Sequence, residues 1–415
     1  MTNNSVTPRV LFLNPWDRLT GPNRYLVEML RQVPKLAMRS TVAFHEANNA
    51  LEEYQELGCQ VRVWPEIALI HPRLDVRNIA YLLLNHTLGL VRMVRQIRAI
   101  RPQVIVSNTE NLWTGGIAAR LQGIPHVQVV HSLTFKYRWH RLANIVKIYF
   151  RWLSLFANYF IGVSEAVKQM LMELGIEARK ITVVPNGFDT KEIREKAGVP
   201  LPTGLEQLIC GHHPVFISVS RIAPMKGQDV LIKAIARIRH IYPSVVCLMV
   251  GCRGADNGTE DTNRFFDDLK SEIQRLELQE CIHFLGEVDY VPELLHRGDV
   301  YVHPSLTESF SRVVAEALIC GKPVVSSDAG GIPETVGHHG ALLVPAGDAE
   351  ALSQALIRVL NEEPLRGEIV SRGQAYVEEN YQASFTARKF SHVLSAVVEN
   401  KVIGHGKRIT SQTAS

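Results

Sequence analysis

Two carboxylates lie eight residues apart in a segment whose pattern combines a loop with a short apolar helix. Glu308 and Glu316 stand between two apolar runs, 300–304 and 324–327, and each run predicts a buried strand. With a helix beginning near Ser309, Glu308 lies at its start and Glu316 about two turns further on, with a rise of roughly 12 Å between them. The order strand, loop, helix, strand predicts a parallel α/β unit.

Ligands of such units bind outside the carboxyl ends of the strands, where a helix N-terminus offers N–H groups and partial positive charge to an anion. A span of roughly 12 Å suits a nucleotide sugar better than a single small anion. Two plainer interpretations stay open, because Glu308 could be a helix cap and Glu316 a solvated helix residue.

Two cations accompany the end of another predicted buried strand, Val215 to Arg221. Arg221 and Lys226 are close enough in sequence to converge on one diphosphate, whose developing charge they would stabilise as it leaves. The alternative is a pair of ordinary surface charges around a turn.

Several motifs follow one another in an order that is typical of a known enzyme family. They are Val183 to Asp189, Val219 to Arg221, Lys226-Gly227, Glu308 with Glu316, Gly321 to Val325, and Asp328 to Glu334. Together they resemble the domain junction, the basic diphosphate clamp and the donor-site signature of the family-4 retaining glycosyltransferases (glycosyl transferases group 1). The resemblance covers about residues 160–385, and it departs from the family at Ser309 and Ser311, where many members have glycines.

The resemblance implies the GT-B fold, in which two Rossmann-like, doubly wound α/β domains face each other across a cleft. The catalytic residues that it implies are Glu308, His131, Arg221 and Lys226. The donor-binding residues that it implies are Gly21, Arg221, Lys226, Val288, Glu308, Ser309, Phe310, Ser311 and Glu316. Within this set, Glu308 would contact hydroxyls of the donor sugar and Glu316 would accept hydrogen bonds from the ribose.

Other members of this set would act mainly through the backbone. Ser309, Phe310 and Ser311 would offer N–H groups, and Val288 would hold the nucleotide base. For Phe310 core packing is the more ordinary role, and for Val288 the alternative is a simple strand end.

The N-terminal half contributes two further candidates by the same resemblance. Gly21 follows the first predicted strand, where relatives approach the diphosphate with a glycine-rich turn, although this chain has one glycine there rather than a pair. His131 ends the fifth predicted strand and resembles a histidine that relatives direct at the transferred sugar. A satisfied polar residue at a strand end is the alternative for His131.

By resemblance, neither a metal nor another cofactor is required, because the two cations and the helix N-terminus take the electrostatic role of a divalent ion. The nucleoside diphosphate sugar is a co-substrate. Family members show no well-placed carboxylate nucleophile of the kind that retaining glycosidases use. We therefore expect attack on the same face of the sugar, with the departing diphosphate taking the acceptor's proton.

The length of 415 residues exceeds what one hydrophobic core usually spans, so two domains are expected. We expect an acceptor-binding domain over 1–200, a donor-binding domain over 201–385, and a returning C-terminal helix with a polar tail over 386–415. The stretch 191–214, rich in proline and glycine, predicts the linker. Six cysteines without a C-x-x-C pair favour reduced thiols in the cytoplasm.

Thirteen apolar runs predict strands, and their alternation with helical patterns predicts mostly parallel sheets. They are Arg9 to Asn14, Ser40 to Glu46, Val61 to Glu66, Gln103 to Asn108, His126 to His131, Tyr159 to Ser164, Ile181 to Asn186, Val215 to Arg221, Val245 to Gly251, Cys281 to Val288, Val300 to Pro304, Val324 to Asp328 and Ala341 to Pro345.

Charge is distributed unevenly along the chain. Residues 1–200 hold 25 Lys and Arg against 15 Asp and Glu, whereas residues 201–415 hold 20 against 26. The segment 135–152 mixes five cations with six aromatic residues, a composition that is typical of a helix at a membrane interface. We expect it to meet an anionic membrane, on the inner face of the plasma membrane, rather than nucleic acid. The alternative is a core-packing helix with a basic outer face.

The sequence thus predicts a retaining glycosyltransferase that moves a hexose-type sugar from a UDP- or GDP-linked donor to a hydroxyl of a lipid, lipid-linked or saccharide acceptor. Two alternatives remain. One is another GT-B enzyme, a sugar-nucleotide epimerase or a phosphorylase, and the other is an inactive sugar-nucleotide-binding partner.

Overall fold

The computed structural model describes residues 8–15, 21–32, 38–47, 50–67, 76–133, 143–252 and 260–402. The chain divides into two compact units, which we call the first and the second unit. The first comprises Met1–Gly187 and Ala383–Ser415, and the second comprises Phe188–Gln382.

The first unit is built on a seven-stranded parallel sheet with the order β3-β2-β1-β4-β5-β6-β7. Its strands are β1 (Arg9–Asn14), β2 (Arg39–Phe44), β3 (Gln60–Val63), β4 (Val104–Ser107), β5 (His126–Val130), β6 (Tyr159–Gly162) and β7 (Ile181–Val183). The central strands β4 and β5 are fully buried. Apolar runs without alternation are expected for a parallel sheet that is covered on both faces.

The described helices of the first unit precede or follow these strands. They are α1 (Gly21–Arg31), α2 (Ala50–Glu56), α3 (Val76–Ile100), α4 (Thr114–Leu121), α5 (Ala143–Leu153) and α6 (Glu165–Glu173), followed after the second unit by α16 (Ala383–Val402). The helix α16 packs against α1, and Phe390 stacks on Phe12 of β1 with ring centroids 6.2 Å apart. The C-terminal helix is therefore part of the first unit's core.

The second unit contains a six-stranded parallel sheet with the order β10-β9-β8-β11-β12-β13. Its strands are β8 (Val215–Val219), β9 (Val246–Val250), β10 (Ile282–Gly286), β11 (Val300–His303), β12 (Val324–Ser327) and β13 (Leu342–Val344). Its helices are α7 (Thr190–Ala197), α8 (Thr203–Ile209), α9 (Gln228–Arg239), α10 (Glu260–Arg275), α11 (Val291–Arg297), α12 (Arg312–Ile319), α13 (Ile332–Val336), α14 (Ala349–Asn361) and α15 (Glu363–Asn380).

The stretch 191–214, which was expected to be the linker, is instead largely helical and belongs to the second unit. The Asp189 carboxylate accepts a hydrogen bond of 3.0 Å from Glu192 N and thereby caps α7. A cap of this kind satisfies a free N–H at the helix start and stabilises the helix. The prolines and glycines of this stretch come after α7 and do not interrupt it. The units divide at Gly187 and Phe188 rather than at residue 200.

All thirteen predicted strands are present, although most are shorter at the carboxyl end than the apolar run suggested. Hydrogen bonding between neighbouring segments continues beyond some strand ends. For example, Val184 N, just after β7, donates to Gly162 O at 2.9 Å. The extra apolar residues belong to loops that leave the sheet edge.

Both sheets reverse their strand order at one central pair. In the first sheet the reversal lies between β1 and β4, and in the second it lies between β8 and β11. The loops that follow these strands leave in opposite directions and open a crevice at the carboxyl edge, which is where doubly wound sheets bind ligands.

The crevice of the second unit requires glycine at one position. Gly227 has a φ of +65°, and a Cβ at this position would lie 2.1 Å from Pro304 O in the loop after β11. No side chain can occupy that space, because real Cβ contacts do not become so short. Gly227 therefore allows the loop after β8 to lie against the loop after β11.

We predict that Gly227→Ala lowers the free energy of unfolding by clearly more than Gly211→Ala. Gly211 has a similar φ of +79° with nothing within 4 Å of the added Cβ, so its substitution isolates the backbone strain of about 1–2 kcal/mol. Urea denaturation of both variants measures the difference. Equal losses would show that the contact with Pro304 is not a constraint.

Candidate active site

The loops after β8 and β11 meet in the second unit. Leu306 N donates to Met225 O at 2.9 Å, and the Lys226 ammonium donates to Glu308 Oε2. The two side chains are only 14% and 13% exposed. Two of the residues predicted for catalysis, separated by 82 positions in sequence, thus form a largely buried ion pair.

The Glu308 carboxylate is held from a second side by His303. The distance from His303 Nε2 to Glu308 Oε2 is 3.3 Å. Burial by itself favours the neutral carboxyl, but the Lys226 charge and the His303 hydrogen bond outweigh it and lower the pKa of Glu308 to about 2. Glu308 is therefore an anion at neutral pH, with one fixed cationic partner.

Glu316 lies closer to the start of its helix than the sequence suggested. The helix α12 begins at Arg312 rather than near Ser309, so Glu308 precedes it by four residues and does not cap it. Glu316 is nearly buried, and its Oε1 lies 3.6 Å from the Arg312 guanidinium. That guanidinium also lies 4.6 Å from the centroid of the Phe188 ring. Arg312 is thus a cation of the site that the sequence analysis did not single out.

The three residues between Glu308 and α12 have different surroundings. Ser309 is partly exposed. Phe310 is buried and packs on Phe188 and Tyr381, with ring centroids 6.3 and 5.0 Å away. The hydroxyl of Ser311 lies 3.3 Å from His303 Nε2. Phe310 therefore has the core-packing role, and Ser311 uses its side chain as well as its backbone.

Arg221 and Val288 lie at the same carboxyl edge of the second sheet. Arg221 is exposed, and its carbonyl accepts a hydrogen bond of 2.9 Å from the buried Gln228 amide. Val288 is partly buried and follows β10, whose last carbonyl, Gly286 O, accepts from Gly251 N at 2.7 Å. Val288 follows the edge strand β10, two strands away from β8. Among the described contacts, no side-chain contact joins Arg221 or Val288 to the Lys226–Glu308 pair.

The first unit holds a separate network of buried polar groups after β1, β4 and β5. The His131 Nε2 lies 2.9 Å from Asn108 Oδ1, and Asn108 Nδ2 donates to Asn14 Oδ1 at 3.4 Å and to Pro22 O at 3.0 Å. Burial lowers the pKa of His131 to about 3, so the imidazole is neutral. Gly21, which starts α1 and is exposed, lies one residue before Pro22.

Glu110, the single acid in residues 76–164, forms hydrogen bonds with His131 and its neighbour. Its carboxylate accepts hydrogen bonds from His131 N at 3.1 Å and from the Ser132 hydroxyl at 2.5 Å. Burial raises the pKa of Glu110 against these hydrogen bonds. The Tyr149 hydroxyl donates to Glu110 O at 2.7 Å and ties α5 to the same loop.

Of the segment 135–152, the structure describes residues 143–152. Lys136, Arg138 and Arg141 lie outside the described residues. The aromatic residues of α5 pack rather than face solvent: Phe150 is buried, and Trp152 lies 5.4 Å from Trp113 between ring centroids. Two apolar residues of α5, Ile145 and Ile148, are exposed, and so is Leu155 just after the helix.

The described helices include none that combines the length and apolar character of a bilayer-spanning segment. Across the described residues, no three His, Cys, Asp or Glu side chains are grouped so that they could hold a metal ion. Metal independence stays a prediction.

Two family models match the chain in succession. The model described as glycosyl transferases group 1 matches residues 206–376, and the model described as glycosyltransferase family 4 matches residues 19–192. The chain belongs to the group 1 glycosyltransferases. The first match contains the crevice of the second unit, and the second contains Asn108 and His131 of the first unit.

Curated relatives match over part of their length. A GDP-mannose-dependent monoacylated α-(1-6)-phosphatidylinositol monomannoside mannosyltransferase of Corynebacterium glutamicum is 29% identical over 194 residues, covering 44% of this chain and 47% of that protein. A UDP-Gal:α-D-GlcNAc-diphosphoundecaprenol α-1,3-galactosyltransferase of Escherichia coli is 29% identical over 265 residues, covering 60% and 64%. The matched segments thus span less than two thirds of either relative.

Solved structures support the fold. A crystal structure of Anabaena Alr3699/HepE in complex with UDP and glucose matches with a TM-score of 0.78 and 23% identity, over 94% of this chain and all of that one. Two parallel-sheet Rossmann-like units and this match confirm the predicted GT-B fold class.

The charge on Glu308 predicts a pH dependence of stability. Because its pKa in the folded protein is about 2, below the ordinary value of 4.5, the ionised form contributes stability that is present above that ordinary value and is lost as pH falls toward 2. We expect the stability advantage of wild type over Glu308→Gln to shrink between pH 5 and pH 3. Thermal unfolding at several pH values measures it, with the exposed Glu280→Gln as control. An advantage that stays constant to pH 3 would contradict the assignment.

Proposed function

We propose that this protein transfers a hexose-type sugar from a UDP- or GDP-linked donor to a hydroxyl of a lipid-linked or saccharide acceptor. The observation that carries the proposal is the Lys226–Glu308 pair, buried at the carboxyl edge where the strand order of the second unit reverses. The relatives named above use GDP-mannose and UDP-galactose and act on lipid-linked glycans. Both nucleotides are therefore candidates.

Lys226 can serve the donor without giving up Glu308. An ammonium group has three N–H donors, so one can remain on Glu308 while others bind phosphate oxygens. Arg221, exposed at the same edge, adds a second cation. Preorganised positive charge of this kind acts most strongly on the diphosphate as it leaves.

The two glutamates take different parts in the proposal. Glu308 accepts hydrogen bonds from the donor sugar's hydroxyls, and its ionised state makes it an acceptor only. Glu316 serves the ribose, with Arg312 as its neighbour at 3.6 Å. The N–H groups of 309–311 and the backbone near Val288 complete the donor site, and Gly21 and His131 of the first unit serve the diphosphate and the sugar.

Retention without a metal belongs to the same catalytic proposal. The acceptor oxygen forms a bond to the anomeric carbon on the face from which the diphosphate leaves. The bond between that carbon and the diphosphate oxygen breaks, and the acceptor's proton passes to the departing diphosphate. Glu308 is not assigned as a nucleophile, because Lys226 and His303 already hold its Oε2.

The discriminating experiment is incubation with UDP-glucose, UDP-galactose, UDP-GlcNAc and GDP-mannose, with release of free nucleotide as the measured signal. Slow release from one donor supports a transferase and names the donor, and the anomeric configuration of the product tests retention. Conversion of the sugar without release favours an epimerase. Binding with neither release nor conversion favours an inactive binding partner. Activity that survives EDTA supports metal independence, and loss restored by a divalent ion contradicts it.

We predict that Lys226→Ala and Arg221→Ala each lower the release rate by more than about a hundredfold, the scale of losing one preorganised donor to a developing oxyanion. The control is Lys233→Ala, an exposed lysine on α9 whose ammonium lies 3.8 Å from Asp229. Circular dichroism checks folding. Near-normal rates in both site variants would contradict the clamp.

The second part of the proposal is an anionic membrane as docking surface for the first unit. Its support is the basic excess of residues 1–200 and the exposure of Ile145, Ile148 and Leu155, which are 56%, 66% and 67% exposed. Ile145 and Ile148 are three residues apart in α5 and so share a face. Apolar residues beside cations favour an anionic lipid surface, where each cation contributes about 1 kcal/mol.

We predict co-sedimentation with anionic but not with neutral vesicles, reversed by high salt because the attraction is screened. Changing Lys136, Arg138, Arg141, Lys147 and Arg151 to Gln should abolish it. Ile145→Ser with Ile148→Ser should weaken it, whereas the exposed Ile241→Ser of the second unit should not. A wild type that ignores anionic vesicles at low salt would favour a soluble acceptor.

A further inference from the structure

His303 is a buried residue of the candidate site, with contacts to both its backbone and its ring. It ends β11 and is 2% exposed. Its carbonyl accepts hydrogen bonds from the hydroxyls of Ser326 at 2.9 Å and Ser327 at 3.2 Å. The ring stacks on that of Tyr301, with centroids 6.0 Å apart and an angle of 27° between the planes. The residue is thus anchored through its carbonyl, and its ring is packed in the interior.

Four oxygens surround its two ring nitrogens. The Tyr301 hydroxyl lies 3.0 Å from Nδ1. The hydroxyls of Ser305 and Ser311 lie 3.1 and 3.3 Å from Nε2, and Glu308 Oε2 also lies 3.3 Å from Nε2. The acceptor-only Glu308 requires a proton on Nε2. In the neutral ring Nδ1 then accepts. The Tyr301 hydroxyl faces Nδ1 at 3.0 Å and Val219 O at 3.4 Å, so its single proton has the shorter path to Nδ1.

We infer that His303 is a positioning residue for the transfer reaction: its Nε2–H fixes the Glu308 carboxylate in the orientation that meets the donor sugar, while Tyr301 fixes the tautomer. This inference rests on the proposed function. It agrees with the sharing of Lys226, because Glu308 has a second, uncharged donor while other N–H groups of the lysine bind phosphate.

Burial keeps the imidazole neutral although charged groups lie close to it. Glu308 and Lys226 face it from the two loops, and Glu316 acts on Tyr301 from α12. Burial lowers the pKa of His303 against the pull of the Glu308 charge. A neutral donor orients the carboxylate without competing with Lys226 for its charge.

The test compares His303→Gln with His303→Leu. A glutamine can bring an amide N–H to the place of Nε2, whereas leucine fills similar space without a donor. We expect the leucine variant to lose about tenfold to a hundredfold in kcat for nucleotide release, with the dissociation constant for the free nucleotide unchanged. The glutamine variant should recover most of that loss. A purely structural role would instead change thermal stability and nucleotide binding together and would not distinguish the two variants.

Tyr301→Phe provides a second arm that keeps the imidazole in place. Without the donor to Nδ1, the ring loses its fixed tautomer, and kcat should fall about threefold to tenfold with nucleotide binding unchanged. If the leucine variant releases nucleotide at the wild-type rate, or if Tyr301→Phe changes nothing, the inference is wrong. A wild type that turns over no donor contradicts the proposed function instead, so the two failures are distinguishable.

Discussion

The buried ion pair between Lys226 and Glu308 is the interaction on which the candidate site of the second unit depends. Removing one partner of such a pair leaves an uncompensated charge in a poorly solvated place, which costs several kcal/mol. Each side chain therefore fixes the loop of the other: the loop after β8 cannot leave the loop after β11 without exposing or stranding a charge. A buried ion pair need not raise the stability of the fold. It does fix the positions of one positive and one negative charge relative to each other.

The backbone makes this pair possible through glycine. Gly227 brings the first loop against Pro304, and Gly251, with φ +139° and a would-be Cβ 1.9 Å from Ser220 O, brings the loop after β9 equally close to β8. Three successive loops are thus packed backbone to backbone at one sheet edge. At these two glycines there is no room for a side chain, and the nearby Lys226 reaches Glu308 of the neighbouring loop.

The first unit places polar residues at the corresponding point of its own sheet but uses a different electrostatic design. The buried contacts of Asn14, Asn108 and His131 are between neutral groups, and burial raises the pKa of Glu110 behind them. A neutral network orients hydroxyl-bearing ligands by direction rather than by charge. The second unit, by contrast, holds a fixed positive and a fixed negative charge at the corresponding edge of its sheet.

The sequence by itself determined the strands, the parallel sheets and the fold class, because unbroken apolar runs between helical patterns leave few other arrangements. The resemblance of its motifs to those of the family also indicated Glu308 and Lys226 as site candidates. It could not place the start of α12, because local propensity does not distinguish Ser309 from Arg312, and it misjudged residues 191–214, whose prolines and glycines flank helices. Only the tertiary structure decided that Lys226 pairs with Glu308, that Phe150 and Trp152 pack rather than face solvent, and that His303 reaches Glu308. His303 lay within a predicted strand and carried no signal of its own, since its partners are set by strand order and by loops that approach through glycine, which are properties of the folded chain.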